Sequence, residues 1–258
     1  KKLNFDFNRF GQFKKKIIYL PVENEPDSLI YEEKANSEKI EKDENKRQNS
    51  IKRIAHQRDN LLMGLNEAND EDYIFYSDND EIPNFENFDL ENNKSKIIMF
   101  KQKLFYYKFN LYCDRVDWYG TKGCKKKHLK SFSWLREIKT KKYPFFRLDT
   151  LFSKNKYIDL KIIRDGGWHF SRLMSPKDME IKLTNSEDHF EFKLSKIKLS
   201  DIEDLVKRKV IEYDHKADSS DYKFGKEFKL KTLPIESMPL FLRENVKKYS
   251  EWFDFENN

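Results

Sequence analysis

The sequence predicts a single α/β domain. Strand-like apolar runs alternate with helical periodicities along the 258 residues, the pattern of a layered α/β core. Aromatic residues make up 15% of the chain, which argues for packed structure over disorder. No internal repeat or linker interrupts the chain. The length suffices for one domain with a sizeable core or for two small ones, and the alternation favours one.

Charge narrows the function classes. With 51 basic and 45 acidic residues the net charge is +6, spread along the chain. This mild excess suits an anionic ligand such as a nucleotide diphosphate, or an anionic surface. It lacks the concentrated basicity of a dedicated nucleic-acid binder, so no nucleic-acid partner is expected. Cys113 and Cys124 form no CxxC pair and read as free thiols of a reducing compartment. No apolar run approaches the roughly 20 residues of a membrane span, and no signal peptide is visible. The chain opens on Lys1-Lys2 without methionine, as a trimmed piece of a longer protein does.

The elements follow in order. Ile17–Leu20 reads as a short buried strand stopped by Pro21. Residues 23–46 are polar and acid-rich and read as a mobile loop. A long helix is expected from about Glu44 to Asn66, with Ile51, Ile54, Ala55, Leu61, Leu62 and Leu65 near helical spacing. Tyr73–Tyr76 is a strand. Residues 96–112 alternate in part and read as one or two strands. Residues 122–130 are basic. "YIDLKII" (157–163) is a strand leading into "RDGGWHFS". Ser175-Pro176-Lys177-Asp178 signals a helix start, and Ser200-Asp201-Ile202-Glu203 repeats it for a helix to about Val210. Residues 214–232 read as a loop, and a C-terminal helix closes the region 214–258.

The chemistry concentrates at "YSDNDEIP" (76–83). Ligands of open α/β sheets sit beyond the carboxyl ends of strands, and Asp78, Asp80 and Glu81 lie just past one. In an extended segment residues two apart point the same way, so Asp78 and Asp80 would face one point. Such a pair suits a hard divalent cation completed by phosphate oxygens and water. The plain alternative is a solvated turn. "GGWHFS" (166–171) offers glycines for close approach, Trp168 as a flat face and His169 as a ligand or proton shuttle. Its plain alternative is a Gly-Gly turn with a packed tryptophan and a satisfied histidine. "EDHFEF" (187–192) adds His189 and Glu191, on one face if extended, or a polar loop.

Taken together, "HQRDNLLMGL" (56–65), "YSDNDEIP", "YYKFN" (106–110), "WYGT" (118–121), "GGWHFS" and "HFEF" (189–192) resemble glycosyltransferase family 17. That is the family of β-1,4-mannosyl-glycoprotein 4-β-N-acetylglucosaminyltransferase. The resemblance spans roughly residues 3–192, and more weakly the tail 233–249. It implies a GT-A-like fold, a Rossmann-type central sheet with helices on both faces and the DxD triplet at its centre. It implies a UDP-sugar donor, UDP-GlcNAc, a divalent metal, manganese or magnesium, and a glycan acceptor. Family members carry, before the point where this chain begins, a first strand ending in an acid, so part of the donor pocket is expected outside these residues.

The roles assigned on this basis are specific. Asp80, Asp78 and His169 are the candidate metal ligands, with His189 as alternative to His169. Asp78, Asp80, Glu81, Arg58 and Trp168 are the candidate donor-binding residues, and Trp118 is a second aromatic platform. Transfer would be inverting, with Glu191 as first candidate base and Asp165 as second. The lysines of 122–130 are a candidate contact for an anionic or membrane surface. The expected location is the cytoplasm or a membrane periphery, or a Golgi-type lumen if an N-terminal anchor has been removed. Two rivals are a metal-dependent phosphohydrolase or nuclease using the same acids, and a non-catalytic carbohydrate- or nucleic-acid-binding module.

Overall fold

The computed structural model describes residues 8, 10–31, 39–86, 88–186, 189–216 and 223–255. They form eleven strands: β1 (Tyr73–Tyr76), β2 (Glu81–Pro83), β3 (Ile97–Phe100), β4 (Gln102–Tyr106), β5 (Leu111–Trp118), β6 (Lys122–Lys125), β7 (Leu160–Ile163), β8 (Gly167–Ser171), β9 (Val210–Tyr213), β10 (Phe224–Lys229) and β11 (Lys231–Thr232). The helices are α1 (Lys39–Asn60), α2 (Phe132–Glu137), α3 (Pro176–Asn185), α4 (His189–Ser195), α5 (Leu199–Lys207) and α6 (Leu240–Glu244). The class is α/β with mixed sheets. Parallel pairing among the described strands is confined to β3–β7 and β4–β8.

One sheet has the order β1-β6-β3-β7, a second the order β11-β5-β4-β8-β2, and β9 pairs with β10 alone. The first two are halves of one sheet broken along a line. Lys101 alone separates β3 from β4, residues 164–166 separate β7 from β8, and residues 119–121 separate β5 from β6. Short backbone bonds hold the break: Lys101 N donates to Ile163 O at 3.0 Å and Gly166 N to Lys101 O at 2.8 Å. Glycine is required there. A Cβ on Gly166 would stand 2.9 Å from Phe100 Cα, and one on Gly167, at φ 120°, would stand 2.0 Å from Ile82 O. The Gly-Gly pair therefore serves the crossing of chains, not the approach of a ligand.

Alternation along the strands gives each half two apolar faces. In the first half, Ile97 and Met99 pack with Phe132, Leu135 and Ile138 of the α2 region, while Ile98 and Phe100 meet Phe88 on the other side. In the second half, Leu104 and Tyr106 pack against Met179, Leu183, Phe192 and Ile202 of α3–α5. Phe105 and Phe170 pack against Met238, Leu242 and Phe253 of the C-terminal segment.

The chain places β1 at one edge of the first half and β2 at the opposite edge of the second. Residues 77–80 must therefore cross the break from one edge to the other. This crossing is what brings the acidic stretch over the middle of the sheet.

Several expectations are corrected. Ile17–Leu20 is not a strand. A 3-10 turn covers Gly11–Lys16, and Ile18 and Tyr19 are exposed with no strand beside them among the described residues. The long helix starts before Glu44 and ends at Asn60, where a 3-10 turn, Leu61–Leu65, takes over. Of the expected mobile loop 23–46, residues 32–38 lie outside the described residues, residues 23–31 are irregular, and the remainder is in α1. The expected loop 214–232 contains β10 and β11. Its alternation is hidden because β10 leaves most side chains exposed. The C-terminal helix is a five-residue α6 between 3-10 turns. "HFEF" is helical in α4, so His189 and Glu191 do not share a face as they would in a strand, and residues 187–188 lie outside the described residues.

Candidate active site in a cationic cleft

A cleft of about 690 Å³ opens where residues 77–80 cross the break, bounded by α1, α2, α3 and the ends of β8 and β9. Arg58, Asp78, Asp80, Trp118, Arg136, His169, Arg172, Lys182 and His215 all line it. The acidic segment is a turn and not an extension of β1: Glu81 N donates to Asp78 O at 3.0 Å. The turn sends the three carboxylates to three different tasks.

Asp78 is held by cations. Its Oδ2 lies 3.0 Å from Arg136 Nη2 and 3.6 Å from Arg58 Nη2, and Tyr76 Oη donates to Oδ1 at 2.5 Å. Burial, then this bond to Asp78, pushes the Tyr76 hydroxyl up to about 12. Arg58 Nε also donates to Tyr76 Oη at 2.9 Å.

Glu81 is a clamp. Its side chain is 0% exposed. Its carboxylate accepts from Trp118 Nε1 at 2.8 Å, Asp78 N at 3.0 Å and Arg136 Nη1 at 3.0 Å. Arg136 Nη1 in turn donates to Gly120 O at 2.7 Å. Fully buried and outside the lining of the cleft, Glu81 fixes the turn.

Asp80 faces the cleft. Its Oδ2 lies 3.4 Å from His169 Nε2. Partial burial alone would raise its pKa, but the His169 bond and charge, with Lys182 behind them, bring it below the usual carboxylate value. The backbone fixes the pair: Phe170 N donates to Asp80 O at 2.8 Å, and Glu81 stands opposite His169 in the β2–β8 register. His169 is buried. Its Nδ1 has no hydrogen-bond partner among the described residues, and its ring meets Trp118 at 4.3 Å between centroids, inclined by 66°.

A divalent cation fits this pair. Two ligands each about 2.1 Å from an ion and at right angles stand about 3.0 Å apart, close to the 3.4 Å observed. No group of three His, Cys, Asp or Glu side chains converges among the described residues. Asp78 is committed to Arg58 and Arg136, which leaves Asp80 and His169 as the pair that could hold a metal.

The other predicted residues lie elsewhere. Trp168 points to the opposite face of β8 from His169, packs near Phe105 and Phe170, and donates Nε1–H to Ser237 O at 2.7 Å. Asp165 sits in the turn before β8 with φ 48°, its side chain 3.6 Å from Lys103 Nζ. That is the far end of β8 from Asp80. Glu191 lies on α4, 3.8 Å from Lys223 Nζ. Neither candidate base lines the cleft. The lysine run is partly consumed internally. Lys122 is buried and donates to Arg136 O and Ile138 O, Lys126 donates to Leu65 O and Ala68 O, and Lys125 and Lys127 pair with Glu71.

Sequence reasoning missed Arg136, Arg172, Lys182 and the Tyr106–His215 pair. Tyr106 Oη is hydrogen-bonded to His215 Nε2. The Arg172 guanidinium lies over the rings of Tyr106 and Tyr213, 5.6 and 5.4 Å from their centroids. A signal existed for Arg172, which directly follows "GGWHFS". Another existed for Arg136, in "SFSWLRE" behind a capping serine: Ser131 Oγ accepts from Trp134 N at 3.1 Å.

No protein-family model matches the chain, and no curated protein or solved structure matches it.

Proposed function

We propose that the cleft binds a nucleotide sugar. In this reading the protein is a metal-dependent inverting glycosyltransferase with a GT-A-like arrangement, moving a sugar, GlcNAc, from a UDP-sugar to a glycan hydroxyl. The observation that carries the reading is the Asp80–His169 pair at 3.4 Å on the floor of a cleft lined by Arg58, Arg136, Arg172 and Lys182. A diphosphate brings negative charge that Arg172, Lys182 and a bound metal would neutralise, and a guanidinium fork matches its oxygens.

Asp80 and His169 would hold the metal, which when bound supplies Lewis-acid stabilisation to the departing diphosphate. Arg172 and Lys182 bind and orient the phosphates. Trp118, Tyr106 and Tyr213 wall the cleft and exclude water. The acceptor hydroxyl must pass its proton to a base as the bond forms. Glu191 and Asp165 lie outside the cleft, and Asp78 is held by arginines. His215, supported by Tyr106, takes that role here.

The test is a panel of nucleotide sugars with manganese, read by thermal shift and donor hydrolysis. One UDP-sugar should raise the melting temperature only with metal present. Asp80→Asn should abolish both effects while shifting the apo melting temperature little, because Asp80 is partly exposed. No stabilisation and no hydrolysis with any nucleotide sugar and any divalent metal would overturn the reading. Metal-dependent cleavage of simple phosphate esters would replace it with the phosphohydrolase.

A further inference from the structure

The segment 139–156 leaves the end of α2 and returns toward β7 as a loop closed at its neck. Lys139 N donates to Asn155 O at 2.8 Å, and Trp134 Nε1 donates to Lys154 O at 2.8 Å. The loop is organised from within. Arg147 N donates to Pro144 O at 3.1 Å, Thr150 N to Arg147 O at 3.1 Å and Leu151 N to Leu148 O at 3.0 Å. Asp149 grips Arg147 at 2.6 and 2.9 Å and Lys156 at 2.8 Å.

So folded, the loop presents its apolar side chains to the outside. Phe145 and Phe152 are 86% and 89% exposed, and Phe146, Leu148 and Leu151 are each at least 66% exposed. Exposed apolar residues scattered singly are ordinary, but five large ones on one short loop mark an interaction surface. The flanking charge identifies the partner. Six basic residues, Lys139, Lys141, Lys142, Arg147, Lys154 and Lys156, stand against the single acid Asp149, and that acid is already paired inside the loop. Lys141 and Lys142, on the arm leading to the apolar residues, and Lys139 and Lys154, at the neck, are exposed.

We propose that this loop docks the protein on an anionic phospholipid surface. The phenylalanines and leucines enter the boundary between headgroups and acyl chains, and the lysines meet the headgroup phosphates. An apolar wedge carrying no array of hydrogen-bonding groups, ringed by cations, complements that surface. The loop grows from α2, which carries Arg136, so docking would set the cleft's own helix beside the bilayer. The inference does not rest on the transferase reading. It also locates the lipid contact in 139–156 instead of the lysines of 122–130.

The test is co-sedimentation of the whole chain with vesicles of phosphatidylcholine alone and of phosphatidylcholine with phosphatidylglycerol. The native chain should partition to the anionic vesicles at least about ten-fold more strongly than to the neutral ones. Phe145→Ser/Phe146→Ser/Phe152→Ser should lose about ten-fold or more of that partition with an unchanged melting temperature, since all three side chains are already solvated. Lys141→Glu/Lys142→Glu should lose the preference for anionic lipid. Three results would each overturn the proposal. One is no sedimentation of the native chain above the neutral baseline. Another is a triple serine variant that partitions as the native chain does. The third is a native dimer, without vesicle binding, that the triple variant dissolves, which would make the loop a contact between copies.

Discussion

Replacing Glu81 by alanine tests the assignment of this carboxylate to structure and not to ligand. Its side chain is fully buried and serves Trp118 Nε1, Asp78 N and Arg136 Nη1. Truncation orphans an indole N–H and a backbone N–H, each costing about 1–3 kcal/mol when left unpaired. It also breaks a buried ion pair, which costs about 3–5 kcal/mol when one partner is removed. Arg136 keeps Asp78 at 3.0 Å and Gly120 O at 2.7 Å, so the ion-pair loss falls at the low end. Water entering the vacated space relieves part of the rest. The sum is about 4 kcal/mol, or about 8–16 °C in melting temperature for a chain of this size. Asp78→Ala is the comparison, because Asp78 uses the same Arg136 but is partly exposed; screening holds its cost to about 1 kcal/mol. Urea denaturation followed by tryptophan fluorescence and by far-UV circular dichroism measures both. A loss below about 1 kcal/mol for Glu81→Ala, or a loss smaller than that of Asp78→Ala, would refute the clamp.

Three further outcomes are expected. Burial, then the charge of Arg136, pushes the Lys122 amine down to about 7. In the unfolded chain it stays protonated to about 10.4. The unfolded state therefore binds the extra proton between these values, and stability should rise with pH across this window by at most about 1.4 kcal/mol per pH unit. Lys122→Met should remove that slope in denaturation curves taken from pH 7 to 10; an unchanged slope would place its origin elsewhere. Asp165→Asn should leave turnover within about two-fold and stability within about 0.5 kcal/mol, because asparagine tolerates the positive φ and the site is solvated. A large loss of turnover with an intact fold would restore Asp165 as a catalytic group. Gly167→Ala should cost more than about 2 kcal/mol in thermal denaturation because its Cβ would meet Ile82 O. Gly225→Ala, at φ 90° in open space, should cost only about 1 kcal/mol.

The parts of the fold legible in the sequence are those whose signals are local. β1 reads from four consecutive aromatic and apolar residues. α3 begins where Ser175 and Pro176 say it should, with Ser175 Oγ accepting from Asp178 N at 3.2 Å. The start of α5 is two residues from the expected place, because Ser200 lies inside the helix. α4 is not legible as a helix because seven residues with alternating polar and aromatic side chains carry no helical period, and they read equally as a polar loop or an extended segment. The break in the sheet leaves no local pattern: it depends on Gly120, Gly166 and Gly167 meeting residues distant in sequence. The site divides in the same way. Asp80 and His169 stand out as acid and imidazole in short motifs. Arg136, Lys182 and His215 are ordinary surface types in sequence, and only folding brings them to one cleft.

The acidic stretch shows why this division matters for chemistry. Read as an extended segment, Asp78 and Asp80 would converge on one point, and two carboxylates so close would repel until one took up a proton. The turn avoids that conflict by sending the three acids to different partners. Arg58 and Arg136 neutralise Asp78, Arg136 reaches on to Glu81, and Asp80 is left beside His169. Arg136 is the hinge of this distribution, since its two terminal nitrogens serve Asp78 and Glu81 separately. Lys122 in turn holds the carbonyls of Arg136 and Ile138 at the end of α2. A buried lysine, an arginine and two carboxylates are thus engaged with one another so that one carboxylate and one imidazole can face the cleft without protein cations occupying the space between them.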